Sequence, residues 1–201
     1  MKRILSGKKK NVQGNPKVIA IIGSVKGAGC TQFVIALAET IRILYGKRTA
    51  VIELNGSNDF EKIENICVRH NMNEKSHDTD MYEIHNVSYY KRISHSGFYE
   101  IYAEDYEYLI LDIGTDFQKQ KEKIIISDIK CLIACHSTWK YEDNMRAIEW
   151  LDTNLSREEF KCFNNFGNPD NKKIFRQVPV YANPFKLDKK LLSFFMNVLE
   201  D

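Results

Sequence analysis

The apolar residues of this chain fall into unbroken runs and into repeats with helical spacing. Unbroken runs rich in β-branched residues are typical of parallel strands that are buried on both faces of a sheet. The runs cover 17–23 (KVIAIIG), 49–54 (TAVIEL), 108–112 (YLILD) and 130–136 (KCLIACH). Between the first two runs, apolar residues recur at helical spacing from Phe33 to Leu44, and Gly46 predicts the end of that helix. A strand, a helix and a strand in this order predict a βαβ unit with a right-handed crossover.

The last third of the chain continues this alternation with shorter elements. The pattern predicts a helix over 141–153, strands over 160–164 and 178–181, and a closing amphipathic helix over 187–199. Because strands alternate with helices, we predict an α/β fold. Its sheet is expected to be doubly wound and mostly parallel, with helices on both faces, in three layers.

The segment 58–105 departs from this alternation, because it is polar and has no sustained period. We predict one helix near 58–70, followed by irregular structure with a short edge strand around 98–102. Four of the five histidines lie in this segment: His70, His77, His85 and His95. Their spacing fits no compact set of metal ligands, so solvated loop residues are the better interpretation.

The length and composition are typical of a soluble globular protein. The 201 residues predict a flexible basic leader over 1–16 and a single domain over 17–201. The leader lacks the apolar region of a secretory signal, and no apolar run approaches the roughly 18 residues that cross a bilayer. We therefore expect a cytoplasmic protein without a transmembrane segment.

The net charge and the cysteines exclude further classes of protein. A formal net charge of +2, without a localised basic patch, does not favour nucleic-acid binding. The odd count of five cysteines indicates reduced thiols rather than a disulfide framework. Cys131, Cys135 and His136 lie in an apolar run with no second ligand pair, and core packing explains them better than a metal site.

A glycine-rich segment joins the first predicted strand to the first predicted helix. Such a junction binds anions, because free N–H groups and the helix dipole point at the ligand. A full phosphate-binding loop reads G-x-x-x-x-G-K-[S/T], with the lysine on the phosphates and the hydroxyl on Mg²⁺. The candidate nucleotide-binding segment here comprises Ser24, Lys26, Gly27, Ala28, Gly29, Cys30, Thr31 and Gln32. Ser24 takes the first glycine position, Cys30 the lysine position and Thr31 the magnesium position. A glycine-rich turn that binds nothing is the alternative.

Three segments of the chain match one known pattern, in order. They are VIAIIGSVKGAGCTQFVIALA, TAVIELN and YEYLILDIG. Together they resemble the loop, the second strand and the Walker B strand of the ParA/MinD/CpaE group of deviant-Walker P-loop ATPases. The likeness covers most of the chain except 58–105. It implies ATP or ADP with Mg²⁺ as the ligand, and Thr31 and Asp112 as the metal-binding residues. An N-cap of the following turn is the alternative explanation of Asp112.

The chain departs from this family at three positions. Cys30 stands where the phosphate-gripping lysine is expected, and Val25 stands where the family has a signature lysine, with Lys26 one residue later. Asn55 stands at the position of the hydrolytic aspartate, after Glu53, and can orient a water but cannot accept its proton. The loss of charge-assisted contacts of roughly 1.5–3 kcal/mol each predicts weak nucleotide binding. The loss of the aspartate predicts little or no hydrolysis.

Two further expectations concern the base and the loop cysteine. In this family an asparagine that follows a late strand contacts the adenine, and Asn164 or Asn165 fits that role. Turn chemistry before Gly167 explains both asparagines equally well. Cys30 lies at a helix N-terminus, where we expect a lowered thiol pKa and a reactive side chain.

Two functions follow from these residues. The resemblance implies a nucleotide-binding regulatory protein that positions cellular machinery through protein partners or as a homodimer, and that is a slow ATPase at most. The alternative is a pseudo-ATPase scaffold that binds no nucleotide and acts only through protein–protein interaction. The replacements at Cys30 and Asn55 favour the scaffold. The residues that are retained favour nucleotide binding: Gly27, Gly29, Thr31 and Asp112.

Overall fold

A single mixed sheet forms the centre of the protein. The structure, a computed structural model, describes residues 14–69, 73–78, 80–167 and 174–200. Within these residues nine strands form the sheet: β1 Lys17–Gly23, β2 Thr49–Glu53, β3 Asn73–Asp78, β4 Met81–Ile84, β5 Val87–Tyr90, β6 Tyr108–Gly114, β7 Ile129–His136, β8 Phe160–Gly167 and β9 Arg176–Gln177. Their spatial order is β3-β4-β5-β2-β6-β1-β7-β8-β9. The pairs β3–β4 and β4–β5 are antiparallel, and the others are parallel, which confirms the predicted mostly parallel sheet.

Helices cover both faces of this sheet. In the described residues they are α1 Cys30–Tyr45, α2 Asp59–Arg69, α3 His95–Tyr102, α4 Lys121–Ile125, α5 Tyr141–Asn154 and α6 Lys189–Glu200, with short 3₁₀ turns at Thr138–Lys140 and Arg157–Glu159. Buried residues of α1, α2 and α6 belong to one hydrophobic cluster, and those of α3, α4 and α5 belong to a second. The fold therefore has the three predicted layers.

Strand β1 lies between β6 and β7 and is buried on both faces. Ile19 and Ile21 pack in the first hydrophobic cluster, whereas Val18, Ala20 and Ile22 pack in the second. Successive side chains point to opposite faces of a strand, so burial on both faces requires an unbroken apolar run. The carboxyl ends of parallel strands share one edge, and the loops after β1, β2 and β6 meet there.

The segment 73–90 is more regular than the sequence predicts. Strands β4 and β5 form a hairpin whose two turn residues, His85 and Asn86, have φ angles of 51° and 63°. Two such residues are typical of a type I′ hairpin turn. The expectation of irregular structure is wrong because each strand has only four residues, too few to show a clear period.

The edge strand predicted at 98–102 is also wrong, because these residues belong to helix α3. The hydroxyl of Ser94 accepts a hydrogen bond from the backbone N–H of Gly97 and caps the helix N-terminus. Phe98 and Ile101 are both buried, and their separation of three residues places them on one helical face.

The short strand predicted at 178–181 lies earlier in the chain. The pairing with β8 occurs at Arg176–Gln177, and the N–H of Val178 then donates to the Asn164 carbonyl at 2.9 Å. Pro179 has no N–H with which to continue the ladder. Val180 is 97% exposed, so the apolar alternation there does not mark a strand.

Some expectations lie outside the described residues: the leader up to residue 13, and His70 of the histidine-rich segment, whereas His77 lies in β3. In the part that the structure describes, no cluster of three or more His, Cys, Asp or Glu side chains is arranged to hold a metal ion. Among the helices described, none is both long and apolar enough to span a membrane.

Candidate functional site

A cavity of about 660 Å³ opens at the carboxyl ends of β1, β2 and β6. It is lined by the loop 25–32, by 55–57, Asp59 and Lys62 after β2, by Asp112 and 114–116 around the end of β6, and by Phe166 near the end of β8. Ligands of doubly wound sheets bind in crevices at this edge. The fold thus brings the candidate loop, Asn55 and Asp112 together in one place.

The loop between β1 and α1 presents free backbone N–H groups. Gly27 and Gly29 have φ angles of 79° and 91°, in the left-handed region that glycine adopts at little cost. Within the described residues, the N–H groups of Gly27, Gly29 and Thr31 make no hydrogen bond, and α1 begins without a side-chain cap. Unpaired N–H groups at a helix N-terminus form a nest suited to an anion.

Two side chains from distant elements hold this loop by its carbonyl groups. Lys140 Nζ donates to the Lys26 carbonyl at 2.8 Å, and Asn165 Nδ2 donates to the Ala28 carbonyl at 3.0 Å. A trans peptide places its C=O and the following N–H on opposite sides. The two contacts therefore turn the N–H groups of Gly27 and Gly29 to the other side of the loop.

A β-bulge explains how Asn165 reaches the loop. In the β7–β8 pairing, Asn164 lies opposite Ala134 and Phe166 lies opposite Cys135, which leaves Asn165 without a partner. A bulge of this kind redirects a side chain. A Cβ on Gly29 would lie 2.0 Å from Asn165 Nδ2, so the contact with the loop requires glycine at position 29.

Thr31 and Asp112 meet at the base of the cavity. Thr31 Oγ1 donates to Asp112 Oδ2 at 2.7 Å, and Asp112 Oδ1 is buried without a hydrogen-bond partner among the described residues. Burial raises the pKa of Asp112 from 3.8 to about 7, the Thr31 hydrogen bond opposes this, and the charge of Glu53 adds to the rise. A buried carboxylate oxygen without a partner is costly, and a bound cation would supply what it lacks.

The Cys30 side chain is buried, with its sulfur close to Gly23 at the end of β1. A Cβ on Gly23 would lie 2.7 Å from Cys30 Sγ, and Cys30 belongs to the first hydrophobic cluster. Burial raises the pKa of the Cys30 thiol well above its usual value, and the charge of Asp112 raises it further. The expected lowered pKa and reactive thiol are therefore wrong, because desolvation outweighs the position at a helix N-terminus.

Among the other residues of the loop, some are buried in the fold and some are exposed at the cavity. The Ser24 hydroxyl donates to Asn144 Oδ1, and Asn144 Nδ2 donates to the Cys135 carbonyl at 3.0 Å, so Ser24 is tied to α5. Val25 is buried, with 6% exposure, and lies in the first hydrophobic cluster. Lys26 and Gln32 are exposed at the cavity.

Asn55 is held by two backbone groups. Its Nδ2 donates to the Asp112 carbonyl at 3.0 Å, and its Oδ1 accepts from the N–H of Ser57 at 3.0 Å. An ionised aspartate could not make both contacts, because one needs a donor and the other an acceptor. The neighbouring Glu53 accepts from Asp59 N–H at 2.8 Å and from Phe60 N–H at 3.3 Å, so it caps α2 from the end of β2.

Restoring an aspartate at position 55 is expected to destabilise the protein by about 1–3 kcal/mol at neutral pH. Asn55→Asp replaces the donor that faces the Asp112 carbonyl with a carboxylate oxygen, and it adds negative charge beside Asp112. Urea unfolding monitored by circular dichroism measures the effect. Asn86→Asp, at an exposed turn position, is the control for adding one charge. Wild-type stability in Asn55→Asp would contradict the backbone contacts described for Asn55.

The two asparagines proposed to contact the adenine differ in their surroundings. Asn164 is buried: its Oδ1 lies 3.2 Å from the N–H of His136 and 2.8 Å from Nδ1 of the same residue, and its Nδ2 donates to the Gly167 carbonyl at 2.8 Å and to Gln177 Oε1 at 2.7 Å. These contacts use the hydrogen-bonding capacity of the amide. Asn165 lies against the loop instead.

Several residues of the site have no motif in the sequence. Lys140, Asn144 and Phe166 reach the loop or the cavity from β8 and the region after β7. Phe166 is 48% exposed, and its ring lies 3.4 Å from the position of a Cβ on Gly29. An exposed aromatic ring that lines the cavity is the signal that a base-stacking role would leave, but the sequence alone does not show that exposure.

Comparison with known proteins finds similar proteins only among solved structures. Neither protein-family models nor curated proteins match the sequence. Among solved structures, a plasmid partition protein from Borrelia burgdorferi B31 bound to AMPPNP is similar, with 17% identity and a TM-score of 0.55 over 92% of this chain and 97% of that one. MinD cell division protein from Aquifex aeolicus has 16% identity and a TM-score of 0.53 over 74% of this chain and 69% of that one.

A third similar structure is a ParA family ATPase from Chlorobium tepidum TLS, with 11% identity and a TM-score of 0.51 over 92% of each chain. At these identities the likeness concerns the fold. It agrees with the three sequence segments that resemble this group, and with the place of the loop at the end of the first strand. The chain therefore has the fold of the ParA- and MinD-type P-loop ATPases.

Proposed function

We propose that this chain is a nucleotide-binding regulatory protein of the ParA/MinD/CpaE type. It binds ATP or ADP with Mg²⁺ weakly, through the loop 24–32, and hydrolyses ATP slowly or not at all. The observation that carries the proposal is the Thr31–Asp112 pair at 2.7 Å beneath a loop with free N–H groups. A buried carboxylate costs free energy unless it has a partner, so its presence at that place favours a ligand.

The residues present fit a magnesium ion. The Thr31 hydroxyl and the unpartnered Asp112 Oδ1 offer the hard oxygen ligands that Mg²⁺ prefers, directly or through water. Bound there, Mg²⁺ would neutralise phosphate charge. The chain itself supplies the N–H groups of Gly27, Gly29 and Thr31 to the phosphate oxygens.

Weak binding and slow hydrolysis follow from the residues that replace charged ones. Cys30 supplies a buried neutral thiol in place of an ammonium group, and Val25 is part of the core. Asn55 has an amide, bonded to two backbone groups, in place of a carboxylate, so it does not accept a proton from water.

The regulatory role rests on the relatives of the same fold. One similar structure is described as a plasmid partition protein and another as a cell division protein. By analogy with them, we propose that this chain acts in the cytoplasm through protein partners or as a homodimer, and positions cellular machinery. The single domain over 17–201 and the basic leader before it are part of the same proposal.

A nucleotide-free scaffold is the second candidate function. It is favoured by the same two replacements, because Cys30 and Asn55 each make contacts that contribute to the fold without a ligand. In this case Asp112, with a pKa of about 7, would be mostly protonated only below neutral pH, and Thr31 would serve only as its hydrogen-bond partner.

Isothermal titration with ATP and ADP, with and without Mg²⁺, separates the two functions. We expect wild type to bind at concentrations of about 1 mM or below, and Mg²⁺ to strengthen binding. Thr31→Ala is expected to weaken Mg²⁺-dependent binding by roughly tenfold or more, because it removes one oxygen ligand. Thr31→Ser keeps that oxygen and is the matched control. The absence of heat with both nucleotides would favour the scaffold.

A further inference from the structure

One aromatic ring lines the cavity among the described residues, and it lies near the end of β8. Phe166 is 48% exposed, and its Cε2 atom lies 3.4 Å from the position of a Cβ on Gly29. The other residues that line the cavity belong to the loop or are small, polar or charged. The ring therefore leaves apolar surface in water that a flat ligand in the cavity would cover.

The place of this ring in the sheet fits the base of a nucleotide. Asp112 lies on β6, on one side of β1, whereas Phe166 lies on β8, on the other side. The terminal phosphates of a nucleotide share the Mg²⁺, so Thr31 and Asp112 would place them on the β6 side of the loop. The ribose and base then extend toward β8. Two strand spacings put the end of β8 roughly 10 Å from the end of β1, a distance of the order that a ribose and its phosphate span.

The amides nearest to this ring are used by the fold. Asn164 is fully buried, and both ends of its amide form hydrogen bonds at the ends of β7, β8 and β9. Asn165 donates its amide N–H to the Ala28 carbonyl. Strong discrimination between similar ligands requires hydrogen bonds that only one of them can make. An aromatic face accepts every base, because each base has a π-face. The surroundings of Phe166 thus favour stacking over recognition of the base edge.

We propose that Phe166 holds the base of the nucleotide by stacking. The proposal rests on the nucleotide-binding function proposed above and names its ligand class: purine nucleotides, with adenine and guanine accepted alike. Purines are favoured over pyrimidines, because two fused rings cover more of the phenyl face than one ring does. Stacking contributes affinity without a charge, at a site whose loop has Cys30 in place of a lysine.

The test compares four ligands in the presence of Mg²⁺: ATP, GTP, CTP and inorganic tripolyphosphate, which has the phosphates without a base. Wild type is expected to bind ATP and GTP within about fivefold of each other, and CTP more weakly. Phe166→Ala is expected to weaken binding of ATP and GTP by roughly 10- to 100-fold, and to bind tripolyphosphate within about twofold of wild type. Affinities are measured by titration calorimetry.

Two further variants serve as controls. Phe166→Tyr keeps an aromatic face and should stay within about threefold of wild type for every ligand. Tyr99→Ala removes a ring of similar exposure, 41%, from α3, and should bind all four ligands as wild type does.

Four results would overturn the proposal. If Phe166→Ala binds ATP as tightly as wild type does, the base lies elsewhere, and the nucleotide-binding function still stands. If Phe166→Ala loses affinity for tripolyphosphate to the same extent, the ring only supports the loop. If wild type prefers ATP to GTP by more than about 100-fold, hydrogen bonds to the base edge determine the affinity. If wild type binds no nucleotide, both proposals fail. Loss of ATP and GTP affinity in Phe166→Ala, with tripolyphosphate binding and the melting temperature unchanged, supports the proposal.

Discussion

Replacement of Gly167 by alanine is expected to lower the free energy of unfolding by about 3–5 kcal/mol. Gly167 has a φ of 79°, and a Cβ there would lie 1.9 Å from the His136 carbonyl oxygen and 2.6 Å from its carbon. These atoms belong to the backbone of β7, which cannot rotate away as a side chain can. The variant must therefore break the end of the β7–β8 pairing, where His136 lies opposite Gly167.

The matched control is Gly46→Ala. Gly46 also has a positive φ, 59°, but nothing lies within 4 Å of a Cβ at that position. The control therefore measures the backbone cost alone, about 1–2 kcal/mol. Equilibrium urea unfolding of both variants gives the difference between them. Equal destabilisation in the two would show that the end of β8 does not lie against β7 as described.

The same substitution bears on the candidate site. Asn165 and Phe166 precede Gly167 on β8, and their positions at the loop depend on the bulge and on the pairing that follows it. If the end of β8 separates from β7, the contact between Asn165 and the Ala28 carbonyl is lost. We expect Gly167→Ala to weaken nucleotide binding as well, even under conditions in which most of the protein is folded.

The central part of the fold could be predicted from the sequence because its signals are local. An unbroken apolar run such as that of β1 identifies a strand buried on both faces, and Gly46 marks the end of α1 at its left-handed C-cap. The order of strands and helices then leaves few arrangements of the sheet. The edges of the sheet lack such signals. Strands β4 and β5 are four residues long, and their burial depends on neighbours far along the chain.

The candidate site also contains residues that the sequence predicts and residues that only the folded chain reveals. The positions of Thr31 and Asp112 follow from a motif at each strand end, because parallel strands bring those ends together. The direction of the Cys30 thiol does not follow from a motif, since it depends on the space that Gly23 leaves beneath the loop. Lys140 and Asn165 contact the loop across more than 100 residues of sequence, so only the folded chain reveals them.

The electrostatics of Asp112 link stability to pH with a definite sign. Its pKa is raised from 3.8 to about 7 in the folded protein. Between these two values the folded state keeps a proton that the unfolded state has released, so stability falls as the pH rises through this range. A difference of about 3 pH units corresponds to about 4 kcal/mol. Without a ligand, the free energy of unfolding is therefore lower by this amount above neutral pH. A cation bound at Asp112 Oδ1 would offset the loss.

Asp112→Asn is expected to remove this pH dependence. Its unfolding free energy minus that of wild type should increase by about 4 kcal/mol from about pH 4 to about pH 8, because an amide does not titrate. The cost of burying the amide is the same at every pH and does not affect this slope. Urea unfolding across the range measures it, with Asp80→Asn at an exposed position as the control for charge.

In parallel, binding of Mg²⁺–ADP to wild type should tighten as the pH rises through 7, and Asp112→Asn should lose both that trend and the effect of Mg²⁺. A constant difference in stability would mean that Asp112 is ionised throughout, and that the protein holds the charge without a cation.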